Sequence, residues 1–169
     1  LLRAFGRAMH SLNGSYYTAE DVGISPEDMQ IVAEETPYAV GLDGGDHGSG
    51  DPSPFTAEGV FQCLKVGADE VFGIDDLTGR RVLVQGLGHV GMSLAQKLHD
   101  AGAKLIVSDI NEAALARAQR DLDAEICATD AVFETEMDIF APCVLGGILT
   151  SETAAKLTAK LVCGAADNQ

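Results

Sequence analysis

From about residue 80 onward, short apolar runs alternate with stretches whose apolar positions recur at helical spacing. The runs at 81–85, 104–108, 125–127, 138–141 and 160–163 predict strands, and the stretches at 90–101, 111–122 and 151–158 predict helices. The runs are continuous rather than alternating, as strands buried on both faces must be. Such strand–helix alternation predicts an α/β fold, a doubly wound parallel sheet with covered faces. The first 80 residues are less regular. Ser25-Pro26-Glu27-Asp28 joins a cap, a proline at the first helical position and an acid three residues after the cap, which predicts a helix over 26–35. The stretch 41–54, GLDGGDHGSGDPSP, predicts a loop. A further helix is expected from about Thr56 to Phe72, stopped by Gly73.

Residues 82–109 read VLVQGLGHVGMSLAQKLHDAGAKLIVSD, which places Gly86, Gly88 and Gly91 between an apolar strand and a helix. Gly86 suits the tight turn. Gly88 lets a pyrophosphate approach the backbone, and Gly91 lets the helix pack closely. The phosphates would sit on the first amides and the positive dipole end of that helix, beside His89 and Val90. Asp109 closes the second strand, where its carboxylate can accept from both ribose hydroxyls and repel a 2′-phosphate. Strand, glycines, helix and acid together predict a Rossmann-like site that takes NAD rather than NADP, with Ile110 beside it. The alternative for Asp109 is a cap for the helix beginning at Asn111-Glu112.

In such a sheet, ligands bind beyond the carboxyl ends of the strands. The tails 142–147, after DIFA, and 164–169, after KLVC, are therefore expected to line the nicotinamide end, with Asp167 or Asn168 placed to hydrogen-bond the ring or a substrate. Nothing in the sequence activates Cys143 as a nucleophile.

Charge narrows the partners. Asp and Glu outnumber Lys and Arg by 26 to 11, for a net charge of −15. Such a surface repels nucleic acid and anionic lipid. No apolar run reaches a membrane span of about 20 residues. The 4 cysteines, Cys63, Cys127, Cys143 and Cys163, form no CxxC pair and suit reduced thiols. A cytoplasmic protein is expected. The chain starts at Leu1 and stops at Gln169 directly after an apolar run, as a piece of a longer protein would.

The stretches LNGSYYTAEDVG (12–23), SGDPSPFTAEGVF (49–61), VLVQGLGHVG (82–91), AKLIVSDIN (103–111), DIFAPCVLGG (138–147) and GAADNQ (164–169) resemble the amino-acid dehydrogenases acting on glutamate, leucine, phenylalanine and valine. The leucine dehydrogenases are nearest among them. The resemblance covers essentially the whole chain, in order. It implies NAD-dependent oxidative deamination of an L-amino acid such as leucine, valine or isoleucine to a 2-oxo acid and ammonia. It further implies that residues 1–37 end a substrate domain and that 38–169 form the NAD-binding domain. Asp21 would be the catalytic carboxylate, Ala19 would lie near the substrate side chain, and Thr56 would face the nicotinamide carboxamide. Residues 141–143 would meet the nicotinamide riboside. The partners implied are an amino-acid or 2-oxo-acid substrate and further copies of the chain, with no nucleic acid and no membrane.

Two departures stand out. The family's lysine-bearing glycine-rich segment lies upstream of Leu1, and Lys65, Lys97, Lys104, Lys156 and Lys160 sit in no such motif. Asp167 stands where the family usually has asparagine, which alters the hydrogen-bonding sense there. His47 among Asp43, Asp46 and Asp51 is a weak metal candidate in a flexible loop, and no metal is expected. Glu34 and Glu35, at an unfavourable helix end, read as solvated. The competing functional reading is a regulatory module that binds a nicotinamide nucleotide without chemistry, for which TAEDVG has no use.

Overall fold

The computed structural model describes residues 1–21, 23–42, 44 and 50–167. The chain forms two compact units, Leu1–Pro52 and Ser53–Gln169. The described residues of 38–52, expected with the second domain, thus group with the first unit. Backbone pairing draws part of this segment there: the Thr18 N–H donates to the Tyr38 carbonyl at 2.9 Å, and the Val40 N–H donates to the Thr18 carbonyl at 2.8 Å.

The first unit holds two helices, α1 (Leu2–Ser11) and α2 (Pro26–Ala33). No sequence signal marks α1, which has no side-chain cap. α2 starts as its residues predict. Ser25 Oγ accepts from the Asp28 N–H at 3.2 Å, and Asp28 Oδ2 accepts from the Ser25 N–H at 3.1 Å. It stops at Ala33, short of the expected end. Glu34 and Glu35 are not merely solvated. Arg3 pairs with Glu34, and Arg7 reaches Glu35 at 3.2 Å. The guanidinium groups on α1 thereby offset two acids at the negative end of α2. Met29, Val32 and Ala39 form the unit's small core.

The second unit begins with α3 (Ser53–Phe72), then runs β1 (Arg81–Gln85), α4 (His89–Asp100), β2 (Lys104–Ser108), α5 (Glu112–Leu122), β3 (Glu125–Ile126), β4 (Ile139–Pro142), α6 (Ser151–Lys156) and β5 (Leu161–Val162). A 3-10 turn spans Val132–Glu134. The strands are parallel, in the order β3-β2-β1-β4-β5. All five expected strands are present, although β3 and β5 are reduced to two residues each.

The sheet is apolar on both faces, as continuous runs require. Val82, Val84, Leu105, Val107, Ile139 and Ala141 share one core with Leu64 and Ala68 of α3, Leu94 and Leu98 of α4 and Leu122 of α5. Leu83, Ile106 and Phe140 point to the other core, with Val132 and Met137. Lys97 Nζ bonds Glu58 Oε2 at 2.6 Å, linking α4 to α3. Phe140 is fully buried, edge-on to Phe133 with ring centroids 5.9 Å apart. Phe140→Ala should destabilise the second unit by about 3–5 kcal/mol. Urea denaturation followed by circular dichroism measures this, and a midpoint that does not move would contradict the packing described.

Candidate dinucleotide site

Strand order reverses between β2 and β4, on either side of β1, and in such sheets the ligand crevice lies at the carboxyl ends of the strands at this point. Gly86 leaves β1 with φ +92°. Its N–H donates to the Ser108 carbonyl at 2.7 Å. A Cβ on Gly86 would come within 2.7 Å of the Cys143 carbonyl oxygen, so both conformation and space demand glycine. Gly88 is the N-cap of α4 and offers no capping side chain. A Cβ there would meet no protein atom within 4 Å, so the space above this amide is open. Gly91 is buried in the first turn of α4. A methyl at Gly91 would overlap the Gly86 carbonyl oxygen and lie 3.2 Å from Cys143 Cβ. The third glycine thus packs the helix onto the Gly86 turn and onto the residue that follows β4.

Asp109 ties this loop to β2. Its Oδ2 accepts from the Leu87 N–H, and its Oδ1 accepts from the Asn111 N–H at 2.7 Å. Asp109 does not cap α5. Asn111 does, accepting from the Ala113 N–H at 3.0 Å and the Ala114 N–H at 3.3 Å. An ionised carboxylate offers about four lone-pair sites, so each oxygen retains capacity for a ligand hydroxyl. Ile110, the next residue, is 92% exposed. The sequence pointed to Asp109 but not to its partner Leu87, because a backbone amide carries no residue signature.

The other expected residues fall in three places. His89 is exposed and Val90 half-buried in the first turn of α4. Ala141 and Pro142 end β4, and the Ala141 side chain is wholly in the core. The Cys143 N–H donates to the Gln85 carbonyl at 2.7 Å, which holds this segment beside the glycine loop. Burial pushes the Cys143 thiol above its ordinary pKa, so it is no activated nucleophile. The Pro142 carbonyl accepts from the Ala165 and Ala166 N–H groups at 2.8 and 3.0 Å, folding the tail after β5 against β4. Asp167 is exposed on this tail, and Asn168 lies outside the described residues. Thr56 is exposed in the first turn of α3. Asp21 and Ala19 are exposed residues of the first unit.

Two buried polar atoms lie near the crevice. Gln85 Oε1 and Ser108 Oγ have no hydrogen-bond partner within the protein. They are register partners at the carboxyl ends of β1 and β2. Nothing in the sequence singles out either residue. Among the described residues no group of three or more His, Cys, Asp or Glu could hold a metal ion. Asp43, Asp46 and His47 lie outside them. No described helix is long and apolar enough to cross a membrane.

The residues fit a dinucleotide. A cradle of bare backbone, open above Gly88 and closed beneath Gly86 and Gly91, faces a carboxylate with acceptor capacity to spare. The second unit is a Rossmann-like domain. Residues 47–119 match the family Glutamate/Leucine/Phenylalanine/Valine dehydrogenase. The whole chain is 49% identical to leucine dehydrogenase of Thermoactinomyces intermedius and 48% identical to that of Geobacillus stearothermophilus, covering 46% of each. Among solved structures, L-tryptophan dehydrogenase from Nostoc punctiforme superposes with a TM-score of 0.76 at 39% identity, over 100% of this chain and 47% of that one. The chain is homologous to these amino-acid dehydrogenases from end to end, and it spans about half the length of the relatives it matches.

Proposed function

We propose that this chain is the cofactor-binding part, with the adjoining edge of the substrate domain, of an NAD-dependent dehydrogenase that oxidatively deaminates leucine or a similar branched L-amino acid. The observation that carries the reading is the glycine cradle held by Asp109 at the point where strand order reverses. The leucine-acting relatives favour an aliphatic substrate, and the tryptophan-acting one marks how far the side chain can vary within the same fold. Side-chain selectivity of this kind rests on only about 1–3 kcal/mol per methylene.

When bound, a nicotinamide ring supplies the hydride acceptor. The chain's own residues bind and orient. Gly86, Gly88 and Gly91 let backbone amides at the start of α4 face the diphosphate, whose charge the helix dipole favours. Asp109 accepts from the adenosine ribose and sets a negative charge where a 2′-phosphate would go. Residues 141–143 and the tail at 164–167 border the far end of the crevice, with Thr56 assigned to the carboxamide. Asp21 acts in the first unit. Hydride can leave Cα only as the amine nitrogen supplies electrons, so the ammonium must first lose its proton. The Asp21 carboxylate steadies the cationic nitrogen and relays protons through water.

A coenzyme and amino-acid panel on the intact protein, read by NADH absorbance, tests this. NAD with leucine, valine or isoleucine should turn over, and NADP should not. Asp21→Asn should lower kcat by about 100-fold or more, in the range of lost proton-transfer catalysis, while NAD affinity stays nearly unchanged. A kcat within a few-fold of the parent would remove Asp21 from the mechanism. No heat on titration with either coenzyme would remove the whole reading.

A further inference from the structure

Three of the four cysteines run inward through the second unit. Cys63 is exposed on α3, Cys163 is half-buried after β5, and Cys143 is half-buried after β4. All are free thiols. Cys163 and α3 are in close contact. Its Sγ lies 4.0 Å from the Val60 carbonyl oxygen, and a Cβ on Gly67 would come within 2.8 Å of Leu161 Cδ1. Cys63 is three residues beyond Val60, on the same side of the helix. Helical side chains lean towards the helix N-terminus, so the Cys63 side chain tilts back over the turn that carries Val60. Cys163 Sγ thus lies against the stretch of α3 that also carries Cys63. Burial raises the Cys163 thiol pKa, and the neighbouring Cys63 adds to the effect. Cys63 is the exposed thiol of the two, so an oxidant meets it first.

We propose that Cys63 and Cys163 form a dithiol that a two-electron oxidant closes into an intrachain disulfide between α3 and the end of β5. With hydrogen peroxide, the Cys63 sulfur attacks one oxygen, the O–O bond breaks, water leaves and a sulfenic acid remains. The Cys163 sulfur then attacks the Cys63 sulfur; the S–S bond forms, the S–O bond breaks and a second water leaves. Two thiols are oxidised and one peroxide is reduced to two waters. A dithiol reductant reverses the bond by exchange. The modification lies one residue before Gly164, whose close packing on Pro142 leaves no room for even a methyl. The disulfide would therefore pin the 164–167 tail to α3. Neither the dinucleotide nor the amino-acid reading is needed for this chemistry.

Peroxide treatment of the intact native protein, followed by alkylation and unreduced peptide mapping, tests the proposal. Among the 4 cysteines of this chain, alkylatable thiols should fall from four to two. A Cys63-containing peptide should be joined to a Cys163-containing one, the link should vanish with dithiothreitol, and its rate should not depend on protein concentration. Cys127 and Cys143 should remain alkylatable. Cys63→Ser alters an exposed site and so keeps the fold intact; it and Cys163→Ser should each abolish the link. A Cys63 that stops at sulfinic acid, joins a second copy, or leaves Cys163 to pair with Cys143 would overturn the assignment.

Discussion

Gly91→Ala is expected to abolish detectable dinucleotide binding and to destabilise the second unit by about 3 kcal/mol or more, at the upper end of overpacking costs. The added methyl would overlap the Gly86 carbonyl oxygen and lie 2.9 Å from its carbon. Neither neighbour can yield. Gly86 is held by its N–H bond to Ser108 at 2.7 Å, and Cys143 by its N–H bond to Gln85 at 2.7 Å. The first turn of α4 must therefore move away from the strand ends, taking with it the amides that would face the phosphates. Gly88→Ala is the matched comparison, because a methyl there meets no protein atom within 4 Å. It should leave stability almost untouched and weaken only the ligand. Thermal unfolding and calorimetric titration of both variants separate the two effects. A Gly91→Ala protein that melts and binds like the parent would refute the close packing.

Asp109→Asn has the second-largest expected effect. The variant side chain can still accept from Leu87 through its amide oxygen, which keeps the glycine loop clasped, but its NH2 cannot accept from Asn111, so that contact is lost. It loses the charge and an acceptor for ribose hydroxyls. Charge-assisted hydrogen bonds contribute about 1.5–3 kcal/mol, so NAD affinity should fall by about 10- to 100-fold on the scale of 1.4 kcal/mol per decade. NADP should bind no worse than before, since the repulsion of a 2′-phosphate is gone. Titration with both coenzymes gives the ratio. An unchanged ratio would mean that Asp109 serves only to clasp Leu87 and Asn111.

The two substitutions sit on features of very different legibility. The glycine spacing announced a tight turn at Gly86 and close helix packing at Gly91, and the structure has both. Asp109 was visible as an acid at the end of a strand. That it would hold the glycine loop through Leu87 was not, since hydrogen bonds to backbone amides leave no trace in residue types. Gln85 and Ser108 were overlooked for a related reason. Nothing in the sequence singles out either residue, and only burial reveals two oxygens without protein partners. Glu34 and Glu35 were misread because their partners, Arg3 and Arg7, lie on a helix with no capping signal, 28 or more residues away.

By itself the sequence determined the α/β class, the positions of β1 and β2 to the residue, and the glycine cradle, because continuous apolar runs, helical spacing and glycine conformation are local properties. Strand order, the neighbourhood of Cys143 with Gly91, the clasp of Asp109 on Leu87 and the meeting of Cys163 with α3 were decided only in the tertiary structure. Each joins segments far apart in the chain, and such pairings are selected by the packing of whole faces rather than by any residue's own preference.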